Sequence, residues 1–214
     1  MITKPITFST DMVQAILEGR KTCIRIPVKQ TQFTGLLPDK CKDSTPKEFL
    51  KQKRMMFKPY CDMNDTEVIM TAYKEPYQAG DILYIKEAWY KGLNRYLYRA
   101  DYSDAEKFYR DGKEINMKWH PSLHMPKEAA RIFLRVTNVR VERLRDITVE
   151  DALAEGIDKY IRLNGELDEN SIITSFIGVW NSTIKKSDLD RYGWDANPWV
   201  WVIEFDRHEK PVST

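Results

Sequence analysis

Residues 198–207, PWVWVIEFDR, carry apolar side chains at five successive positions, Trp199 to Ile203. Side chains of a strand alternate between two faces, so this strand is apolar on both and requires a packed layer against each. The segment therefore predicts the central strand of a covered sheet. A second long strand is predicted over 130–144, where apolar and polar residues alternate through RIFLRVTNVRVERL with frequent β-branching. VIMTAY (68–73), DILYIKEAWY (81–90) and YLYRADY (96–102) read as further strands, with EPYQAG and KGLN as the turns between them.

Helical spacing appears in three shorter places. Ser9 or Thr10 caps a helix whose Met12, Val13, Ile16 and Leu17 share one face, and Gly19 stands where a left-handed terminal residue belongs. Thr148 caps a helix that Gly156 stops; after it, Ile172, Ile173, Phe176, Ile177 and Trp180 recur at helical spacing. Between Gly19 and Pro27 the chain is predicted extended, with Lys21, Cys23 and Arg25 alternating against Thr22, Ile24 and Ile26. Residues 36–66 read as a basic insertion with a helix opening at Thr45-Pro46-Lys47-Glu48. Several strands broken by short helices, without regular alternation, predict an α+β domain over 1–210: a curved antiparallel or mixed sheet, closed or nearly closed into a barrel, with flanking short helices.

Composition narrows the functional classes. Hydrophobic residues make up 42% of 214, with six Trp, eleven Tyr and eight Phe, enough to build one core and exclude general disorder. No apolar run reaches the roughly 18 residues of a membrane helix, so no membrane partner is expected. Three cysteines, an odd number without metal spacing, and an N-terminus without a secretory pattern predict a cytoplasmic protein. The net charge of +2 hides an asymmetry, +7 over residues 1–60 against −5 over 61–214, which gives a polyanion one attractive face.

The chemistry-bearing candidates follow from these placements. Lys21 and Arg25, on one face beyond a helix end, make a cationic site for a phosphate or oxyanion; a charged, solvent-facing strand edge explains the same pair. Glu155 falls in the last helical turn, where exposed carbonyls disfavour negative charge, a setting for a proton-transferring carboxyl or for an ordinary exposed glutamate. Glu87 lies inside an apolar strand and needs a partner or a function. Around it Trp89, Tyr90, Tyr96, Tyr98 and Arg99 combine rings and charge in a way that suits stacking on single-stranded nucleic acid, or plain sheet packing. His120 and His124 are four apart, but Pro121 and Pro126 argue against the helix that would align them on a metal, and no metal or cofactor is predicted. Trp119 and His124 read as a loop rimming a ligand cleft, and Trp194 and Trp199 as rings seated in the barrel.

The ordered set GRKT (19–22), GDILYIKEAW (80–89), ITVEDALAEGI (147–157) and the terminal VWVIEF, with KWHPSLHMPKEAARIFL (118–134) and GWDANPWVWVIEF (193–205), resembles the ASCH domain of the PUA-like superfamily, in the longer form common in phages and prophages. The resemblance spans most of the chain and is weakest over 36–66. It implies a small PUA-like β-barrel with flanking helices and a cationic cleft that binds RNA or a nucleotide. Ligand contacts would come from Arg20, Thr22, Arg25, Glu87, Trp89, Tyr98, Trp119 and His124. Some short members hydrolyse N4-acetylcytidine with a lysine, a threonine and a glutamate; the lysine and glutamate fall on Lys21 and Glu155, which are the catalytic candidates here, and the threonine on Ile24. An isoleucine has no hydroxyl. Thr22 or Cys23 is the nearest substitute in sequence. The resemblance thus leaves three functions open: binding of single-stranded RNA, a nucleotide or a modified nucleoside; hydrolysis of such a nucleoside, or of RNA as a ribonuclease; and capture of a host protein through 36–66 by a phage accessory protein.

Overall fold

The computed structural model describes residues 3–28, 31–35, 68–72, 75–103, 107–110, 113–157 and 168–211. The insertion at 36–66, with the helix expected from Thr45, lies outside the described residues. In chain order the strands are β1 (Thr3–Thr7), β2 (Cys23–Pro27), β3 (Thr31–Gly35), β4 (Val68–Ala72), β5 (Ile82–Lys86), β6 (Trp89–Lys91), β7 (Tyr96–Tyr98), β8 (Phe108–Arg110), β9 (Lys113–Ile115), β10 (Phe133–Arg143) and β11 (Trp199–His208). The helices are α1 (Thr10–Leu17), α2 (Val149–Ala154), α3 (Glu169–Thr183) and the single turn α4 (Leu189–Tyr192).

Five strands form one sheet in the order β1-β5-β10-β11-β2. β1 and β5 are parallel, and the other three ladders are antiparallel, so the sheet is mixed and the domain is α+β. Among the described residues no ladder joins β1 to β2. The pairs β3–β4, β6–β7 and β8–β9 are separate two-stranded ladders.

The strand that is apolar on both faces does lie inside the sheet, between β10 and β2. Ile203 and Phe205 enter a core with Ile6, Phe8, Leu83, Ile85 and Leu134. Val200 and Val202 belong instead to a second core with Phe176 and Trp180 of α3. Each fully buried side chain of this size contributes about 1.5–3 kcal/mol relative to exposure, so α3 is held on the sheet largely by what lies beneath it. The register of β10 against β11 shifts between Val136 and Asn138, an irregularity of the kind that bends a strand and increases its twist.

Helix ends follow the predicted signals. The Ser9 hydroxyl accepts from Met12 N at 3.4 Å and the Thr148 hydroxyl from Asp151 N at 3.1 Å. Gly19 and Gly156 adopt φ of 76° and 80° after α1 and α2. Two strand predictions need correction. The run 81–90 breaks after Lys86 and resumes at Trp89, because Glu87 turns to a buried ion pair with Arg131. The run 96–102 ends at Tyr98 and becomes a single 3-10 turn over Arg99–Asp101, where Ala100 is buried and its carbonyl accepts from Gln14 Nε2 at 3.1 Å. Among the described residues no helix is long and apolar enough to cross a membrane.

Candidate functional site

The GRKT segment leaves α1 and is fastened to the end of α2. Arg20 N and Lys21 N both donate to Ala15 O, at 2.8 and 3.1 Å, and Thr22 N donates to Ala154 O at 2.9 Å. Lys21 and Glu155 form an isolated antiparallel bridge. The approach requires a glycine at 156: a Cβ there would lie 2.8 Å from Ala15 Cβ and 3.0 Å from Lys21 Cβ.

This backbone junction sets the side-chain geometry. Lys21 Nζ donates to Glu155 Oε2 at 2.5 Å and to Glu155 O at 3.0 Å. Arg25 NH1 donates to the other carboxylate oxygen at 3.4 Å. Arg25 NH2 meets Glu142 Oε1 at 2.7 Å and Asp151 Oδ2 at 2.8 Å. Behind them Arg140 bonds to Glu142 and Asp151 at 3.1 and 3.4 Å and also to Glu204. The side chains of Lys21, Arg25 and Glu155 are 0%, 1% and 8% exposed. Burial alone would lower the pKa of Arg25, but Glu155 and Glu142 outweigh it and raise the value. Charges this deep hold together only when mutually paired, as they are here.

A cleft of about 190 Å3 opens against this network. Thr7 of β1 and Ile24 of β2 both line it, although these strands are the two edges of the sheet. The sheet therefore curves enough to bring both edges to one cavity. Glu155, Arg25 and Asp11 supply polar groups, while Met12, Phe176 and Trp180 supply an apolar wall. Neither Asp11 nor the two α3 rings stand out in the sequence as site residues. Asp11 reads as a first-turn acid of α1, and the rings read as the periodic core face of α3, which they also are. Only the tertiary meeting of α1, β2, α2 and α3 distinguishes them.

The predicted site residues separate into groups. Lys21, Arg25 and Glu155 come together. Lys21 does not line the cleft and is no anion contact: Glu155 covers its ammonium. The charged strand edge is corrected for the same reason, since both cations are buried. The expected cationic cleft is corrected as well, because in the network three cations meet four carboxylates. Arg20 turns away to Glu18 at 2.6 Å and to Gly156 O, and Thr22 is exposed outside the cleft. Cys23 is buried, and desolvation, reinforced by Glu155, pushes its thiol up to about 12, so it is no substitute nucleophile.

Glu87, Trp89 and Tyr98 do not line the cleft. Glu87 is paired bidentately with Arg131 at 2.9 and 3.0 Å, and that guanidinium also holds Asp101 and lies 4.0 Å from the Tyr98 ring centroid. Burial raises the Glu87 pKa against the lowering effect of Arg131. Trp119 packs with Tyr102 and Phe108, and His124 sits exposed in a 3-10 turn, so neither rims the cleft. Trp194 packs against the second core beside Phe176 of α3, whereas Trp199 remains 38% exposed with Arg143 stacked on it at 4.3 Å.

Comparison of the chain with family models, with curated proteins and with solved structures finds no match.

Proposed function

We propose that the chain is an ASCH-type RNA- or nucleotide-binding protein whose cleft takes a single base. The observation that carries this reading is the Glu155 carboxylate, clasped by Lys21 and Arg25, in a cleft also lined by Phe176 and Trp180. A planar heterocycle satisfies both halves: its faces meet apolar and aromatic side chains, and its N–H edge donates to a fixed carboxylate. The volume is below the about 300–1,000 Å3 of pockets for drug-sized ligands, which favours one base or nucleoside over a longer segment in the cavity. The excess of carboxylates favours an uncharged donor edge over a phosphate. The reading takes the sheet as the main part of a PUA-like barrel, supported by the two edge strands sharing one cleft.

Titration with cytidine, adenosine and their monophosphates, followed by quenching of tryptophan fluorescence, tests this. Nucleoside binding that weakens about tenfold or more in Glu155→Gln is expected. Absence of binding to any nucleoside or nucleotide refutes the reading.

A second reading, hydrolysis of an N4-acetylated cytidine, is favoured by the 2.5 Å contact between Lys21 and Glu155. In it Glu155 activates water, and Lys21 acts through Glu155 as a positioning residue. Ile24 lines the cleft without a hydroxyl, so catalysis rests on the carboxylate alone. Chromatography of N4-acetylcytidine incubated with the protein decides it: cytidine released by the wild type and not by Glu155→Gln supports hydrolysis, and an unchanged substrate peak refutes it.

A further inference from the structure

We infer that a single-stranded nucleic acid binds on a second surface, made by the β6–β7 hairpin and the segment 115–127, away from the cleft. The inference rests on the reading of an RNA- or nucleotide-binding protein and deepens it by giving the strand its own site.

The first observation is charge. Residues 88–100 and 115–127 contain Lys91, Arg95, Arg99, Lys118 and Lys127 and no Asp or Glu, in a chain with 32 acidic residues among 214. Of the flanking carboxylates, Glu87 and Asp101 are both held by Arg131 and Glu114 meets Lys107 at 3.1 Å, while Glu128 is exposed beside Lys127 at the edge of the second segment. Lys91, Arg95 and Lys118 are exposed. The surface thus has the positive sign that the cleft lacks.

The second observation is the arrangement of rings. The two segments are joined by reciprocal backbone bonds between Trp89 and His120, at 3.2 and 2.7 Å. This places His120 4.9 Å from Trp89 and, with nearly parallel planes, 6.4 Å from Tyr90. Tyr96 meets Trp89 edge-on at 5.7 Å, and Arg99 lies 6.0 Å from the Trp119 ring centroid. His120 is exposed and Trp89, Tyr90 and Tyr96 are half-buried, so the rings are fixed from below and open above. Rings held in this way beside these cations are what an unpaired strand needs, since its bases offer faces for stacking and its phosphates offer charge. A duplex hides the base faces; the exposed Leu93 and Leu123 beside these cations also suit a lipid surface, which the vesicle arm of the test decides.

Fluorescence anisotropy with a labelled 15-nucleotide single strand, its duplex and vesicles containing anionic lipid tests the inference on the whole chain. The strand is expected to bind in preference to the duplex, with log K falling against log salt at a slope of about −2, as three phosphate contacts dictate. Lys91→Ala/Arg95→Ala/Lys118→Ala should lower affinity at least tenfold and flatten the slope, and His120→Ala should lower affinity several-fold. Nucleoside binding in the cleft should be unchanged in the triple variant, which separates this inference from the cleft reading. A strand that binds the triple variant as tightly as the wild type, a duplex that binds equally well, or binding to vesicles alone would overturn it.

Discussion

The Glu155 carboxylate is held in place by two buried cations. Lys21 takes one carboxylate oxygen at 2.5 Å and Arg25 approaches the other at 3.4 Å, both nearly without solvent. Removing one member of such a buried set leaves an uncompensated charge, and Lys21→Met is expected to destabilise the fold by about 3 kcal/mol in urea denaturation. Lys21→Met/Glu155→Gln should cost less than the two single changes added together, because the pair then leaves together. Gly156→Ala combines positive φ with a Cβ 2.8 Å from Ala15 Cβ and should destabilise by about 1–3 kcal/mol. Cys23 gives a chemical test. With its thiol pushed up to about 12 by burial, peptide mapping after iodoacetamide treatment at pH 8 should show it unmodified in the native protein and modified after denaturation. The folded chain then holds a proton that the unfolded chain, with an ordinary value of 9.0, releases, so this thiol lowers stability as pH rises from about 9 towards 12.

At the scale of elements, Arg131 fastens the β6–β7 hairpin to the start of β10 by holding Glu87 and Asp101 together. Arg131→Ala should destabilise by about 3–5 kcal/mol near neutrality by stranding a buried carboxylate. Burial already raises the Glu87 pKa, and losing Arg131 removes the main opposing effect. Protonation of Glu87 then relieves the unpaired charge, so thermal melts of the variant should recover towards the wild type as pH falls below neutrality. Seven of the eleven described strands fall in segments that read as extended from the sequence, while β1, β3, β8 and β9 do not. PWVWVIEFDR could only be central because both its faces are apolar, and Ser9, Thr148, Gly19 and Gly156 marked helix ends through local hydrogen bonds and backbone freedom. The break at Glu87 was not legible, because it depends on an arginine 44 residues away. Lys21 and Glu155 were visible as candidates, but not that they touch, nor that Asp151 and Glu142 would absorb Arg25. Those contacts are tertiary, and nothing in the spacing of 21, 25, 142 and 151 encodes them.

For the whole molecule, the separation of charge matters more than its total. The chain is nearly neutral, yet the cleft network has more carboxylates than cations while the β6–β7 face has cations and no carboxylates in its two segments. The curved sheet supports both: its edge strands line the cleft, and the segment between β5 and β10 that contains β6 and β7 builds the other face. In the proposed function the cleft recognises a base through the Glu155 carboxylate and not a phosphate through cations. Calorimetric titration of cytidine against its monophosphate, at about 50 mM and about 200 mM salt, tests it most directly. The nucleoside is expected to bind at least as tightly as the nucleotide, with an affinity that changes less than about twofold between the two salts. A nucleotide that binds much more tightly, and loses that advantage as salt rises, would contradict it.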